Sequence, residues 1–145
     1  MEDHVFGGVH NHVERTPRPL LQAMMRGLRG KCPHCGEGRL FAAFLTITPQ
    51  CEHCGEDLHH HRADDLPAYL VVVIVGHVLV GAFMSVETVT TLSTWQHLAI
   101  WLPLTVVSAL ALLRPVKGAV VGLQWALYMH GFGGEDDLVE THPEA

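Results

Sequence analysis

The sequence predicts a mainly α-helical membrane protein that carries a small cysteine-rich head on the N-terminal side of its apolar half. Apolar residues concentrate in two stretches, 66–86 and 98–113, whereas all four cysteines precede residue 55. Hydrophobic residues make up 48% of the 145-residue chain, a high share for a water-soluble domain. We therefore predict that the chain divides into two modules and does not form one continuous core.

Each apolar stretch is interpreted as a membrane-spanning helix. Residues 66–86 include no Lys, Arg, Asp or Glu, and a helix of this length would cross the roughly 30 Å hydrocarbon layer. Residues 98–113 form a shorter stretch that gains length if its ends reach the headgroups. Pro103 lies near the entrance to this stretch, where a kink is tolerated. We predict a two-span hairpin over residues 63–117.

The flanking segments are assigned by composition. Residues 1–19 and the acidic tail 132–145 are predicted to be disordered. Pro115 should end or bend the second helix. Residues 118–131 are then interpreted as a short helix at the inner membrane interface, with a re-entrant segment as the alternative.

A short helix, "PLLQAMMRGLRG", is expected at the start of the head module 20–62. Leu20, Leu21, Met24, Met25 and Leu28 would share one face of this helix. That face would either lie on an anionic membrane surface or pack against the rest of the head.

The distribution of basic residues predicts the orientation. Seven of the nine Lys and Arg residues precede the first span, the loop 87–97 has none, and two follow the second span. The excess of Lys and Arg on one side favours a cytoplasmic location for both termini and for the head. The first residues lack the pattern of a secretory signal peptide.

The cysteines occur as two pairs, "CPHCG" (Cys32, Cys35) and "CEHCG" (Cys51, Cys54), with fifteen residues between the pairs. This spacing is typical of a four-cysteine zinc site, because each two-residue gap lets one turn present two sulfurs to a tetrahedral ion. A site with four cysteine ligands is closed, so we expect structural zinc in a small β-rich ribbon. Disulfides, a redox pair, iron or another metal are the alternatives.

Charged residues lie where the predicted hairpin meets the head. Asp64 and Asp65 precede the first span and are interpreted as caps of that helix, with an ion pair to Arg114 joining the two spans. In the alternative hypothesis, residues 59–61 ("HHH") and the two aspartates bind a cation. Glu87 is expected to mark the outer end of the first span.

His77 lies near the middle of the first span, where a polar side chain is costly. It would either donate an interhelical hydrogen bond to Thr105 or Ser108, helped by close packing at Gly76 and Gly81, or serve a function. The functional hypotheses are haem or copper ligation, proton handling, and docking to another membrane subunit.

Several short motifs occur together with the cysteine pairs: "GEGRLF", "HRADDLPAY", "GH" within the first span, "VE" at its end, and "LRPVKG" followed by "LQWA". In combination they resemble the bacterial membrane-protein family catalogued as domain of unknown function 983, from about Leu20 to His130. The resemblance implies a cytoplasmic zinc ribbon followed by a two-span hairpin in the bacterial inner membrane. Members are often encoded beside subunits and assembly factors of haem–copper cytochrome oxidase, which implies an accessory role in respiratory-complex assembly.

The functional prediction is a non-enzymatic inner-membrane protein whose zinc ribbon docks onto a membrane complex or its assembly machinery. The net charge of −6 argues against nucleic-acid binding. The sequence contains no nucleophile–base arrangement and no phosphate-binding glycine loop, so no catalytic residue is predicted. The expected partners are the lipid bilayer and another membrane protein. The alternative is a metal or haem handling protein that uses His77 and the histidine- and aspartate-rich membrane edge.

Overall fold

A computed structural model describes residues 16–62 and 64–132. Three helices account for most of this part of the chain: α1 (Leu20–Leu28), α2 (Asp65–Val89) and α3 (Thr94–Ala126). The predicted disordered segments 1–19 and 132–145 lie almost entirely outside the described residues.

Helices α2 and α3 are both long and apolar enough to cross a membrane. In the most apolar 18-residue stretch of each helix, 11% of the stretch is buried in α2 and 0% in α3. The core helix of a soluble protein would be mostly buried, and neither helix lies at the N-terminus as a signal sequence does. The prediction of two candidate membrane-spanning helices in a mainly helical protein is confirmed.

The two long helices form an antiparallel hairpin. At one end of the pair, the ring of Phe83 meets the rings of His97 and Trp101 at centroid distances of 5.1 and 5.7 Å. At the other end, Lys117 Nζ lies 3.7 Å from Asp64 Oδ1. Helix α3 begins at a capping box, in which the Ser93 N–H donates to the Gln96 side chain.

Helix α3 passes through both Pro103 and Pro115, which corrects the prediction that the second helix ends or bends before a separate segment at 118–131. A proline removes one backbone hydrogen bond and crowds the preceding turn. Beyond Pro115, however, most residues of α3 are buried in the head, and their packing holds the helix together. Residues 118–126 are therefore the last turns of α3 and not a separate helix.

The head of the protein, residues 16–62, contains no β-strand in its described part beyond isolated bridges, so the predicted β-rich ribbon is not confirmed. The bridges join Lys31 to Arg39, Phe41 to Ile47 and Gln50 to Asp57. The turns at the two cysteine pairs use the neighbouring backbone groups for hydrogen bonds within each turn.

Small residues let α1 cross α3 with their backbones in contact. A Cβ atom placed on Gly27 would lie 2.0 Å from the carbonyl oxygen of Gly118, and one placed on Gly122 would lie 2.4 Å from that of Ala23. The face of α1 that packs is thus the Ala23–Gly27 stripe, whereas Leu21 and Met25 remain exposed. The predicted face of leucines and methionines is therefore largely exposed, at Leu20, Leu21, Met25 and Leu28, and α1 packs on α3 through its small residues instead.

One core joins the crossing to the cysteines. It contains residues from α1, from both cysteine pairs and from the last turns of α3: Ala23, Cys32, Leu40, Phe41, Ile47, Cys51, Leu58, Val120, Val121, Trp125, Ala126 and Phe132. The head is consequently fixed to the end of the helical hairpin.

Candidate metal centre and its supports

The four cysteines converge on one point. All four sulfur atoms lie within 4.8 Å of one another, and the Cys32–Cys54 and Cys35–Cys51 pairs are each 3.8 Å apart. All four thiols are free. Metal–sulfur bonds of about 2.3 Å in a tetrahedron place sulfurs about 3.8 Å apart, so this arrangement fits a metal ion held by four cysteines.

Glycines shape the turn at each cysteine pair. Gly36 and Gly55 adopt φ values of +74° and +75°, and their N–H groups donate to the carbonyls of Cys32 and Cys51 at 2.9 Å. These left-handed conformations suit glycine because it lacks a Cβ atom. The two turns are equivalent, so each pair presents its sulfurs in the same way.

The environments of the sulfurs differ. Burial raises the pKa of Cys32 and of Cys54. Burial also acts to raise the pKa of Cys35, but the N–H groups of Gly38 and Glu37, each 3.4 Å from its sulfur, outweigh this and lower the pKa to about 6. Cys35 therefore ionises before Cys32 and Cys54, and an ionised thiol is the form that binds a metal.

An arginine of α1 holds the first cysteine turn in place. Arg26 Nη1 donates to the carbonyl oxygens of Pro33 and His34 at 3.2 and 2.7 Å. A side chain on Gly36 would meet the Arg26 guanidinium, since a Cβ atom there would lie 2.8 Å from its Nε. No pattern in the sequence indicates this role of Arg26.

Trp125, near the end of α3, attaches that helix to the second cysteine turn. Its indole N–H donates to Glu56 Oε1 at 2.9 Å, and its ring lies 5.6 Å from that of His34. Arg18 stacks over Trp125 at 4.1 Å and over Tyr128 at 4.0 Å, and it donates to the Trp125 carbonyl. Sequence reasoning missed this cluster, although "LQWA" contributed to the family resemblance.

Gln124 fixes the chain just before α2. Its buried side-chain amide donates to the carbonyl oxygen of Arg62 at 3.1 Å and accepts from the Arg62 N–H at 3.2 Å. The amide thus pairs with a backbone in the manner of a neighbouring strand. In the sequence, this role of Gln124 is indicated only by the presence of a single Gln inside an apolar segment.

The charged groups at the start of α2 differ from expectation. Asp64 is the N-cap residue but makes no side-chain cap hydrogen bond, and its ion-pair partner is Lys117, not Arg114. The guanidinium of Arg114 lies 5.0 Å from the Phe41 ring centroid, because this part of α3 faces the head. Asp65 lies in the first turn of α2, where a negative charge is favoured.

A second group of side chains that could hold a metal ion lies in the head, close to the start of α2. Ligand atoms of Asp57, His59 and His60 lie within 4.8 Å of one another. His61 points elsewhere, with Nδ1 2.8 Å from the Leu58 carbonyl oxygen. The alternative hypothesis named the right kind of residue, but Asp57 is the carboxylate that joins the histidines, and Asp64 and Asp65 are outside this group.

His77 does not bond to α3. Its Nδ1 lies 2.7 Å from the Val73 carbonyl in its own helix, and the side chain is exposed on the outer surface of α2. Thr105 and Ser108 likewise bond to carbonyls of their own helix. The space beside Gly76 and Gly81 is open. The predicted interhelical bond and the close packing at these glycines are therefore wrong for this hairpin.

Glu87 lies near the C-terminal end of α2 and pairs with the neighbouring helix. Its Oε2 is 2.9 Å from His97 Nε2, and His97 Nδ1 accepts from the Trp101 indole at 3.2 Å. Glu87 thus stands at the loop end of the hairpin, far from the four cysteines.

Comparison with known proteins gives one result. No curated protein and no solved structure matches this chain. A family model described as protein of unknown function (DUF983) matches residues 41–125, which include Cys51 and Cys54 but begin after Cys32 and Cys35. Because the match covers more than half of the chain, the protein belongs to this family of unknown function, the one that its motifs resemble.

Proposed function

We propose that the protein is a non-enzymatic docking factor of the bacterial inner membrane, in which a zinc-bound cytoplasmic head and a two-span hairpin bind a partner membrane complex. Haem–copper cytochrome oxidase, or its assembly machinery, is the partner that the family resemblance favours. The observation that carries the proposal is the outward-facing His77 on the apolar surface of α2.

A polar imidazole facing lipid is unfavourable unless another group satisfies it. Among the described residues, the Val73 carbonyl is the one group bonded to the His77 ring. Open space beside Gly76 and Gly81 would let another helix approach the backbone of α2 closely. Small residues together with a polar group are typical of contacts between membrane helices.

The head supplies the second half of the proposed contact. Zinc suits four thiolates in a closed tetrahedron, and the sulfur separations fit this geometry. Binding of such an ion contributes on the order of 10 kcal/mol to folding of small metal-dependent modules. The ion would hold the head rigid at the end of α3, so that head and hairpin present one continuous surface.

The test is affinity purification of the tagged protein at native expression, in wild type, His77→Leu and Cys32→Ser. A Val72→Ala variant is the matched control, since Val72 is exposed on the same helix. We expect a reproducible partner with wild type and Val72→Ala, a weakened one with His77→Leu, and none with Cys32→Ser. Equal recovery by wild type and His77→Leu would refute the role of His77.

Oxidase assembly tests the identity of the partner. In a deletion strain, haem spectra should recover with wild type but not with Cys32→Ser. Normal oxidase assembly and spectra in the deletion strain would exclude an oxidase as the partner.

A second candidate function, metal handling, is favoured by the convergence of Asp57, His59 and His60. Two imidazoles and one carboxylate are suitable ligands for first-row metals, copper among them. Elemental analysis of the purified protein separates the two functions. A second metal that is lost in His60→Ala supports metal handling, whereas one metal per chain and no haem absorbance contradict it.

A further inference from the structure

An open cavity of about 510 Å³ lies between the head and α3. Two arginines line it, Arg39 from the head and Arg114 from α3, together with the aromatic side chains of Phe41 and Phe44. Arg39 and Arg114 are 75 residues apart in the sequence, and the fold brings both to the same cavity.

Neither arginine is neutralised by a carboxylate in the part of the chain that the structure describes. Arg114 lies over the Phe41 ring at 5.0 Å, and the nearby Lys117 is the residue that pairs with Asp64. Two cations that share a cavity repel each other unless an anion lies between them. Guanidinium groups bind phosphate through paired N–H donors, so phosphate is the anion that this lining fits best.

The position of the cavity along α3 indicates where that phosphate comes from. Arg114 is the first charged residue after the apolar stretch 98–113, so the proposed bilayer placement puts its guanidinium at the depth of the headgroups. Phe44 is half exposed beside it, and Ala42 and Ala43 are also exposed. An apolar rim next to two cations suits a molecule that carries a phosphate above a hydrocarbon chain.

We propose that the cavity between Arg39 and Arg114 binds the phosphate group of an anionic membrane phospholipid. The lipid would tie the head to the inner surface of the bilayer, with its phosphate between the guanidinium groups and its acyl chains along α3 below Phe44. This inference rests on the bilayer placement in the proposed function and is independent of any protein partner.

The test uses the full-length protein in nanodiscs of phosphatidylcholine, with or without phosphatidylglycerol. Native mass spectrometry after release into detergent counts the phosphatidylglycerol that stays bound. The variants are Arg39→Gln and Arg114→Gln, with Arg29→Gln as the control, because Arg29 is an exposed arginine of the head that does not line the cavity. Metal content and thermal midpoint verify that each variant is folded.

We expect wild type to retain phosphatidylglycerol in preference to phosphatidylcholine. Arg39→Gln and Arg114→Gln should each weaken retention about fivefold, the usual effect of one basic residue near an anionic surface, while Arg29→Gln should retain wild-type binding. An equal loss in Arg29→Gln would overturn the proposal in favour of diffuse surface charge. Failure of metal-loaded, inserted wild type to retain phosphatidylglycerol would overturn it while leaving the membrane placement intact.

Inorganic phosphate distinguishes the source of the anion. If inorganic phosphate in detergent, at a concentration equal to that of the lipid, reduces lipid retention to the level of Arg39→Gln, the acyl chains add nothing to binding, the cavity is a site for free phosphate and the lipid assignment is wrong. If retention is unchanged, the acyl chains contribute to binding as proposed.

Discussion

Replacing Gly27 by alanine tests whether direct contact between the backbones of α1 and α3 holds the head on the hairpin. The added Cβ atom would lie 2.0 Å from the carbonyl oxygen of Gly118 and 2.7 Å from its carbonyl carbon, whereas Cβ atoms in proteins essentially never come closer than 3.0 Å to such atoms. The helices must therefore separate by about 1 Å or more. Both contacted atoms belong to the backbone, so no side chain can move aside.

The expected magnitude follows from two opposing effects. Overpacking of this kind costs about 3 kcal/mol or more when the backbone has to shift. Alanine recovers about 1 kcal/mol of helix propensity over glycine. The net loss of about 2 kcal/mol corresponds to a fall of about 8–16 °C in the unfolding midpoint of the head.

The matched control is Gly76→Ala in α2, where a Cβ atom would meet nothing within 4 Å. This variant should gain up to about 1 kcal/mol from helix propensity alone. The assay is thermal unfolding of the metal-loaded protein in detergent. Unfolding is monitored by the reaction of Cys32, which is buried in the folded head, with an alkylating reagent. If Gly27→Ala unfolds at the same temperature as Gly76→Ala or above it, the helices are not in backbone contact and the reasoning is wrong.

Three further predictions concern the metal centre and its support. Removal of the metal by a chelator should make Cys32 and Cys51, which are 0% and 2% exposed, react with alkylating reagents, while circular dichroism retains the signal of the two long helices. In metal-free protein whose first cysteine turn is still folded, alkylation of Cys35 should rise with a midpoint near pH 6, because its pKa is lowered from 9.0 to about 6; the hydrogen bonds to its thiolate contribute fully to stability above about pH 9, and this contribution is lost as the pH falls from 9 to 6. A midpoint near pH 9 would contradict this ordering. Gln124→Leu should destabilise the head by about 1–3 kcal/mol in thermal unfolding, since both backbone groups of Arg62 lose their partner; an unchanged midpoint would show that this pairing is dispensable.

The cysteine pairs and the apolar stretches were predictable because their information is local. A two-residue gap followed by glycine produces the same turn at Cys32–Gly36 and at Cys51–Gly55, whatever surrounds it. A run of twenty-one residues without Lys, Arg, Asp or Glu likewise forms a helix able to span a membrane without help from distant parts of the chain. The conformation of the segment between the cysteine pairs was less predictable, because short strands depend on partners.

Contacts between distant residues explain where the sequence-based predictions failed. Lys117 replaced Arg114 as the partner of Asp64 because the helix turns Arg114 towards Phe41 in the head. One of the two hypotheses for His77 had it face α3, but the register of the hairpin places it on the outer surface. A periodic pattern identifies the faces of a helix, but in a uniformly apolar helix it does not say which face is packed.

The sequence by itself determined that four thiols meet in one closed site and that two apolar helices follow it, because spacing and hydrophobic length act within a single segment. Only the tertiary structure decided that α3 continues through Pro115 into the head. In the head, Val121 and Trp125 are buried and Gly118 packs against Gly27. This packing stabilises the end of α3 by more than the loss of one backbone hydrogen bond at Pro115 costs. The balance depends on residues some ninety positions apart in the chain.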